Sequence, residues 1–221
     1  MQPNIEYTFE NYITGESNLS AVTAVKAAAE NPGRVHNPLF IYAGSGLGKT
    51  HLLNAVYNHI RAHSPQLSVA MYSAAELIHQ MIIAKIKGQT ETWRALLQAD
   101  DVLLIDDMHV AAGKESTQAG FCELLRNFTN SGKQVVITFS EPLEHFPVIC
   151  STSTPGTELV TLAEILPLDA DTCRRLINSK AAQAGLTLSE DTQEYIIAQS
   201  SGEPRRAIGS IARLRAEKEL L

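Results

Sequence analysis

Short apolar runs alternate along this chain with segments in which apolar residues recur every three or four positions. The apolar runs predict buried strands, and the three-to-four spacing predicts amphipathic helices. Five strands are predicted, at residues 39–43, 68–72, 102–106, 134–138 and 159–166. Strands that alternate with helices indicate a five-stranded parallel sheet sandwiched by helices, so the predicted fold class is α/β.

The predicted helices fall into two groups. Between the strands, helical spacing covers residues 18–30, 48–63, 74–87, 91–98 and 116–130. After Pro167 the pattern contains helices alone, at about residues 171–184, 189–199 and 203–221, with Ser189 as a suitable N-cap. We therefore predict two domains: an α/β domain at residues 1–166 and a small helical lid at residues 167–221.

Composition narrows the class of protein. Hydrophobic residues make up 44% and charged residues 19% of the chain, as in ordinary soluble domains. No apolar run approaches the eighteen or so residues of a membrane span, and the first eight residues do not resemble a signal sequence. We expect no membrane contact and a cytoplasmic location. The net charge of −6 argues against autonomous binding to duplex DNA. The three cysteines lack the spacing of a disulfide framework or a zinc site.

The strongest chemical motif lies between the first strand and the helix that follows it. Such a glycine-rich loop turns backbone N–H groups toward phosphate oxygens, and the helix N-terminus adds partial positive charge. Lys49 is expected to reach the β- and γ-phosphates of a nucleotide, and the Thr50 hydroxyl to coordinate Mg²⁺. Ala43 stands at the first position instead of glycine, which matters only if that residue needs a positive φ. The predicted P-loop consists of Ala43, Gly44, Ser45, Gly46, Leu47, Gly48, Lys49 and Thr50.

A second motif is an apolar strand that ends in two carboxylates, Asp106 and Asp107. Its distance downstream of the P-loop is that of a Walker B strand. Asp106 is predicted to hold the Mg²⁺ shell, and Asp107 to orient or deprotonate an attacking water. Lys49 and Asp107 are thus the candidate catalytic residues, and Thr50 and Asp106 the candidate metal ligands. A charged turn after a buried strand is the alternative interpretation.

Several motifs together resemble the AAA+ domain of the DnaA family of bacterial replication initiators. They are YTFENY at residues 7–12, NPLFIY at 37–42, GLGKTHLL at 46–53, LLIDD at 103–107 and GKE at 113–115. The resemblance is close from Tyr7 to about Thr138 and looser afterwards. It implies a P-loop NTPase of AAA+ type that binds ATP or ADP with Mg²⁺.

The resemblance also suggests further nucleotide contacts. In this family the segment at residues 7–15 wraps the adenine, and His51 follows the family pattern directly after the P-loop. The GEPRRA motif at residues 202–207 resembles the sensor-2 motif, which makes Arg205 a candidate for contacting phosphates. A solvated arginine near a helix start remains the alternative for Arg205. The residues that the resemblance adds to the cofactor site are Tyr7, Phe9, Asn11, Tyr12, His51 and Arg205.

The sequence departs from the family pattern at two functional positions. Ser140 falls where the family has its sensor-1 aspartate. Residues 148–157 fall where the family carries an arginine-rich box with the arginine finger, yet they contain neither arginine nor lysine. An arginine finger accelerates phosphoryl transfer by roughly a thousandfold or more. We therefore expect that this chain does not activate hydrolysis in a neighbouring subunit by that route.

DNA contacts follow from the resemblance as well. Residues 74–98 correspond to the initiator-specific insertion that contacts single-stranded DNA, where Lys85, Lys87 and Arg94 could touch a backbone. A mixed-charge exposed helix is the alternative, and Trp93 is interpreted as packing more readily than as a base-stacking residue. Weak single-stranded DNA binding therefore stays open. The family's duplex-binding helix-turn-helix domain would begin beyond residue 221, so sequence-specific duplex binding is not expected.

Three functional hypotheses remain. The favoured one is a DnaA-like regulator of replication initiation, similar in domain content to Hda, which binds ATP or ADP and assembles with the initiator DnaA or with its own copies. In this hypothesis intrinsic ATP hydrolysis is weak or absent. The second is an active ATPase that works as a motor or loader on DNA or a helicase. The third is an adaptor in another process whose nucleotide serves stability. The sequence leaves open whether ATP is hydrolysed.

Overall fold

The computed structural model describes residues 1–140 and 160–219 of the chain. Within them, five parallel strands form one sheet, which confirms the predicted α/β class. The strands are β1 (Leu39–Tyr42), β2 (Val69–Ser73), β3 (Val102–Asp106), β4 (Gln134–Phe139) and β5 (Thr161–Glu164). Their order across the sheet is β2-β3-β4-β1-β5. Because all five are parallel, their carboxyl ends meet at one edge.

The sheet is apolar on both faces, which explains the uninterrupted apolar runs in the sequence. Alternate residues of β1 to β4 enter different cores. In β3, for example, Val102 and Leu104 join one hydrophobic cluster, whereas Leu103 and Ile105 join the other. Residues of α1 and α2 complete the first cluster, and residues of α3 and α5 complete the second. These four helices are α1 (Leu19–Glu30), α2 (Lys49–His63), α3 (Ala74–Ile86) and α5 (Glu115–Asn130).

Helix starts follow local sequence signals. Ser73 and Glu76 form a reciprocal capping box at the start of α3, which satisfies two backbone N–H groups. Helix α4 (Thr90–Leu97) then packs back on α3, so the two helices form a hairpin after β2. Between β3 and α5 lies a short 3₁₀ helix, Met108–Ala111, which the sequence analysis did not predict.

The lid contains three helices, as predicted, and they surround a third hydrophobic cluster. They are α6 (Ala170–Gln183), α7 (Glu190–Ser200) and α8 (Pro204–Glu219). The Asp169 side chain caps α6, and the predicted N-cap Ser189 accepts a hydrogen bond from Thr192 N at 3.3 Å. Proline occupies the first position of α8, where its missing N–H costs no helical hydrogen bond.

Most predicted boundaries differ from the observed ones by no more than one residue, and those of β5 differ by two residues at each end. The predicted strand at residues 159–166 is only Thr161–Glu164 within the described residues. Its neighbour β1 has four residues and ends at Tyr42, where the P-loop begins, so the ladder has no further partner. Beyond it, the Leu166 N–H donates to the Ser17 carbonyl oxygen instead.

Candidate functional site

The predicted P-loop connects β1 to α2 at the carboxyl edge of the sheet. Gly48 has a φ of 98°, and a Cβ there would lie 3.0 Å from the Tyr12 ring. Gly46 has a φ of 81°, and a Cβ there would lie 3.1 Å from Cβ of Arg205. Both positions therefore need glycine for conformation and for space. Ala43 is not among the residues with positive φ, so the missing glycine at that position imposes no backbone strain.

Lys49 lies at the start of α2 and is only 5% exposed. Its Nζ donates hydrogen bonds to the carbonyl oxygens of Ala43 at 2.7 Å and Gly44 at 2.8 Å. Burial lowers the pKa of this ammonium, whereas the carboxylates of Asp107 and Asp106 oppose that shift. The loop thus holds one partly desolvated cation close to two anions, as phosphate chemistry requires.

Asp106 is the most enclosed carboxylate of the site, with 3% exposure. Its Oδ2 accepts a hydrogen bond from the Thr50 hydroxyl at 2.9 Å, and its Oδ1 accepts one from the Thr138 hydroxyl at 2.5 Å. Burial raises the pKa of Asp106, and the nearby Asp107 charge acts in the same direction. The fold therefore brings the two predicted metal ligands, Thr50 and Asp106, into direct contact.

Asp107 follows β3 in the left-handed conformation, with φ 59° and ψ 51°. For an L-residue other than glycine this conformation costs roughly 1–2 kcal/mol, less for aspartate than for most residues. Its backbone N–H donates to the Thr138 hydroxyl at 2.9 Å, and its half-exposed carboxylate lies 3.7 Å from Nδ1 of His109. Asp107 is thus the solvent-accessible acid of the pair.

The N-terminal segment packs against His51 at the start of α2. The Tyr7 ring stacks on the imidazole with centroids 4.6 Å apart, and the Tyr12 ring meets it edge-on at 5.1 Å. His51 Nε2 lies 3.0 Å from the Thr8 carbonyl oxygen, so it is the nitrogen that carries the proton in the neutral ring. Burial lowers the pKa of His51. This histidine therefore fixes the segment that the family resemblance assigns to adenine.

The other predicted adenine contacts have structural partners. Phe9 is buried in the core cluster beneath α1 and α2. The Asn11 side chain accepts the Thr8 N–H and donates to the Glu6 carbonyl oxygen, which shapes the loop itself. The Tyr12 hydroxyl donates to the Leu47 carbonyl oxygen at 3.4 Å, and burial raises its pKa. Tyr7 and Tyr12 consequently lie beside the P-loop helix, whereas Phe9 supports the segment from below.

Arg205 of the lid forms hydrogen bonds to the P-loop. Its backbone N–H donates to the Gly46 carbonyl oxygen at 3.3 Å, and its Nη1 donates to the Ser45 hydroxyl at 3.3 Å. The guanidinium is exposed, which leaves most of its donors free for an anion. The predicted lid arginine thus lies against the loop that would hold phosphates.

A separate cavity of about 350 Å³ lies between α3 and α4, away from the P-loop. Trp93 lines it, is half-buried, and donates its indole N–H to Gln80 at 3.1 Å. Arg94 forms ion pairs with Glu91 and Glu123, so it is engaged within the protein. Two apolar side chains beside the cavity are largely exposed, Ile86 at 76% and Leu96 at 69%.

Sequence reasoning missed Thr138, whose hydroxyl contacts both acidic residues. A threonine that interrupts the apolar run of β4 directly before the strand ends was the available signal. Ser140 is half-buried, and residues 148–157, where the sequence lacks arginine, lie outside the described residues.

The donors at the site suit a nucleotide and Mg²⁺. Thr50 and Asp106 supply the oxygen ligands that Mg²⁺ prefers, and such sites are normally completed by phosphates and water. Residues 1–140 and 160–219 contain no cluster of three or more acidic, histidine or cysteine side chains that could hold a metal alone. No helix in those ranges is long and apolar enough to span a membrane.

Comparison with known proteins supports the assignment of this site to a nucleotide. The family described as bacterial DnaA ATPase domain matches residues 3–147. The chromosomal replication initiator protein DnaA of Symbiobacterium thermophilum is 34% identical over 218 residues, which is 99% of this chain and 48% of that protein. The chain therefore spans about half the length of the curated relatives it matches.

Solved structures agree in fold. The replication initiator DnaA bound to AMPPCP and single-stranded DNA superposes with a TM-score of 0.86 at 30% identity, covering 97% of this chain and 66% of that one. Domain III of the Thermotoga maritima initiator DnaA superposes with a TM-score of 0.87 at 29% identity, covering 100% of this chain and 92% of that one.

Proposed function

This chain belongs to the bacterial DnaA ATPase-domain family, and we propose that it is an ATP- or ADP-binding regulator of replication initiation. In this proposal it acts in the cytoplasm by nucleotide-dependent assembly with the initiator DnaA or with its own copies, and its intrinsic ATP hydrolysis is weak or absent. The observation that carries the nucleotide-binding part of the proposal is the hydrogen bond between Thr50 and Asp106, which joins the P-loop helix to the Walker B strand. The match to the bacterial DnaA ATPase domain supports the part on replication initiation.

The nucleotide site divides its tasks among three parts of the chain. The P-loop amides and Lys49 bind the phosphates, and Thr50 and Asp106 hold Mg²⁺, which neutralises phosphate charge when bound. Tyr7 and Tyr12, fixed by His51, form one wall of the base pocket. Arg205 contacts the phosphates from the lid, because its guanidinium already hydrogen-bonds Ser45 of the loop.

Hydrolysis needs more than this site supplies. We assign to Asp107 the task of orienting or deprotonating a water, since it is half-exposed and its charge acts on Lys49. Transition-state charge, however, is normally countered by an arginine finger as well. The sequence at residues 148–157 offers no cation for a neighbour, although a neighbour could still offer one to this chain. Such a subunit would end a head-to-tail assembly, because heterologous contacts propagate only while both faces work.

Single-stranded DNA is a second proposed ligand, at the α3–α4 hairpin. Lys85 and Lys87 are exposed there, and neither forms an ion pair with a described residue. Arg94 contributes less, because two carboxylates already neutralise it. With two free cations, binding is weak and strongly salt-dependent. No duplex-specific contact is proposed.

The decisive test is ATP turnover by the purified chain, alone and mixed with full-length DnaA. Asp107→Asn should abolish any turnover, and Asp191→Asn, which removes an exposed carboxylate at the start of α7, should not. We expect little turnover alone. Turnover that appears only in the mixture and requires Asp107 would mean that the initiator supplies the finger.

Two outcomes favour the alternatives. Rapid turnover by the chain alone would replace the proposal with an active motor or loader. If Lys49→Ala lowers the melting temperature but leaves binding to DnaA unchanged, the nucleotide serves stability and the chain is an adaptor. If the chain lengthens DnaA filaments on DNA, the proposal that it ends a head-to-tail assembly is wrong.

A further inference from the structure

Thr138 occupies the centre of the site although no nucleotide contact is assigned to it. It precedes the last residue of β4, and its side chain is fully buried, with 0% exposure. Strand β4 lies between β3, which carries Asp106, and β1, which leads into the P-loop. Its hydroxyl is therefore positioned between the two catalytic motifs by the order of the strands.

The two hydrogen bonds of this hydroxyl have fixed directions. An ionised carboxylate can only accept, so Thr138 Oγ1 donates its single proton to Asp106 Oδ1 at 2.5 Å. The same oxygen accepts the Asp107 backbone N–H at 2.9 Å. One side chain thus contacts the metal-ligand carboxylate and the backbone of the acid that follows it. Serine could reproduce both bonds, whereas valine, which has nearly the same shape, could make neither.

Each bond has a consequence for geometry. Thr50 donates a hydrogen bond to Oδ2 of Asp106, and Thr138 donates one to Oδ1. Together the two bonds fix the rotation of the carboxylate plane. The other bond holds Asp107 in its left-handed conformation, which a non-glycine residue seldom keeps without external support. Loss of the hydroxyl would free Oδ1 of the Asp106 carboxylate and remove the hydroxyl acceptor of the Asp107 N–H.

We infer that Thr138 is a positioning residue that orients Asp106 toward Mg²⁺ and fixes Asp107 beside the phosphates through a single hydroxyl. The inference rests on the proposed function, since it concerns the same nucleotide site. Residues that orient metal ligands typically change metal affinity or activity by roughly 10–100-fold when removed. The effect should appear wherever Mg²⁺ contributes to nucleotide binding.

The test compares Thr138→Val and Thr138→Ser with the unchanged chain. ATP affinity is measured by calorimetry with Mg²⁺ and again with EDTA. Thr138→Val should weaken binding with Mg²⁺ by about tenfold or more and change binding in EDTA by less than about twofold. Thr138→Ser should bind as the unchanged chain does. Thr161→Val, the same change at the start of β5, should have no effect and serves as the matched control. Thr138→Ala replaces the valine variant if the latter lacks a cooperative melt.

Amide hydrogen exchange at Asp107 provides a readout without nucleotide. Protection of that N–H should persist in Thr138→Ser and be lost in the valine or alanine variant. The inference is overturned if Thr138→Val keeps its Mg²⁺-dependent affinity, or if Thr138→Ser loses as much as valine, since the methyl group would then be responsible. Absence of ATP binding by the unchanged chain would instead overturn the proposed function, and this inference with it.

Discussion

The backbone N–H of Arg205 donates a hydrogen bond to the carbonyl oxygen of Gly46, so the first turn of the last lid helix touches the P-loop directly. The residues are 159 positions apart, yet a Cβ on Gly46 would come within 3.1 Å of Cβ of Arg205. The lid helix and the P-loop are therefore in direct backbone contact at this point.

Arg205→Ala should weaken ATP binding by roughly tenfold to a hundredfold, because a hydrogen bond to a charged group contributes about 1.5–3 kcal/mol. Calorimetric titration with ATP measures the change. The neighbouring Arg206 is a matched control, since it is exposed and paired with Glu203 at 2.8 Å. Equal losses for Arg205→Ala and Arg206→Ala would show that only general charge in this helix matters.

Replacement of Asp107 by glycine or alanine should separate backbone strain from carboxylate chemistry. Both changes remove the acid, but glycine adopts a φ of 59° freely and alanine does not. The Asp107→Gly variant should therefore be more stable than Asp107→Ala. The difference should be about 1 kcal/mol in the free energy of unfolding, or about 2–4 °C in melting temperature. Asp171, inside the first turn of α6, is the control position. There the glycine variant should be less stable than the alanine variant, because glycine disfavours helix. A higher melting temperature for Asp107→Ala would refute strain at this position.

Stability should fall as the pH is lowered from 7 to 5.5, in part because of His51. Burial lowers its pKa in the folded state, and Lys180 acts in the same direction. In the unfolded chain the pKa is about 6.5. Below that pH the unfolded state binds a proton that the folded state does not, so unfolding becomes easier until the folded pKa is reached.

Urea unfolding at pH 7 and pH 5.5 measures this effect. His51→Gln should show a smaller loss between the two pH values, although it is less stable overall because its ring contacts are gone. Burial lowers the pKa of His59 too, so part of the dependence should remain. His79→Gln, an exposed position on α3, should keep the full loss. An unchanged loss in His51→Gln would mean that other groups cause it.

Lys85→Ala combined with Lys87→Ala should weaken binding to an oligothymidylate and flatten its salt dependence. For single strands the slope of log affinity against log salt is about −0.7 for each neutralised phosphate, so two lost contacts change it by about 1.4. Trp93, the one tryptophan of the chain, lies in the same hairpin and can report binding by fluorescence. Lys26→Ala with Lys218→Ala removes the same charge elsewhere. Equal effects of both pairs would indicate net charge and not a site.

The sequence by itself determined the fold class and the two main motifs. Strands that are buried on both faces must be apolar throughout, so β3 was predicted with its observed bounds, Val102–Asp106. A glycine-rich loop followed by Lys49 and Thr50 has few physical alternatives between a strand and a helix. Family motifs added Tyr7, Tyr12 and Arg205, which spacing alone would not have selected.

Only the tertiary structure decided which of these groups meet. The bonds that join Asp106 to Thr50 and to Thr138 span 56 and 32 residues, and no local pattern encodes them. They exist because parallel strands bring their carboxyl ends to one edge in the order β3-β4-β1. The left-handed backbone of Asp107 likewise donates its N–H to a residue of another strand, Thr138. Local sequence specifies the elements, but contacts between distant residues follow from how those elements pack.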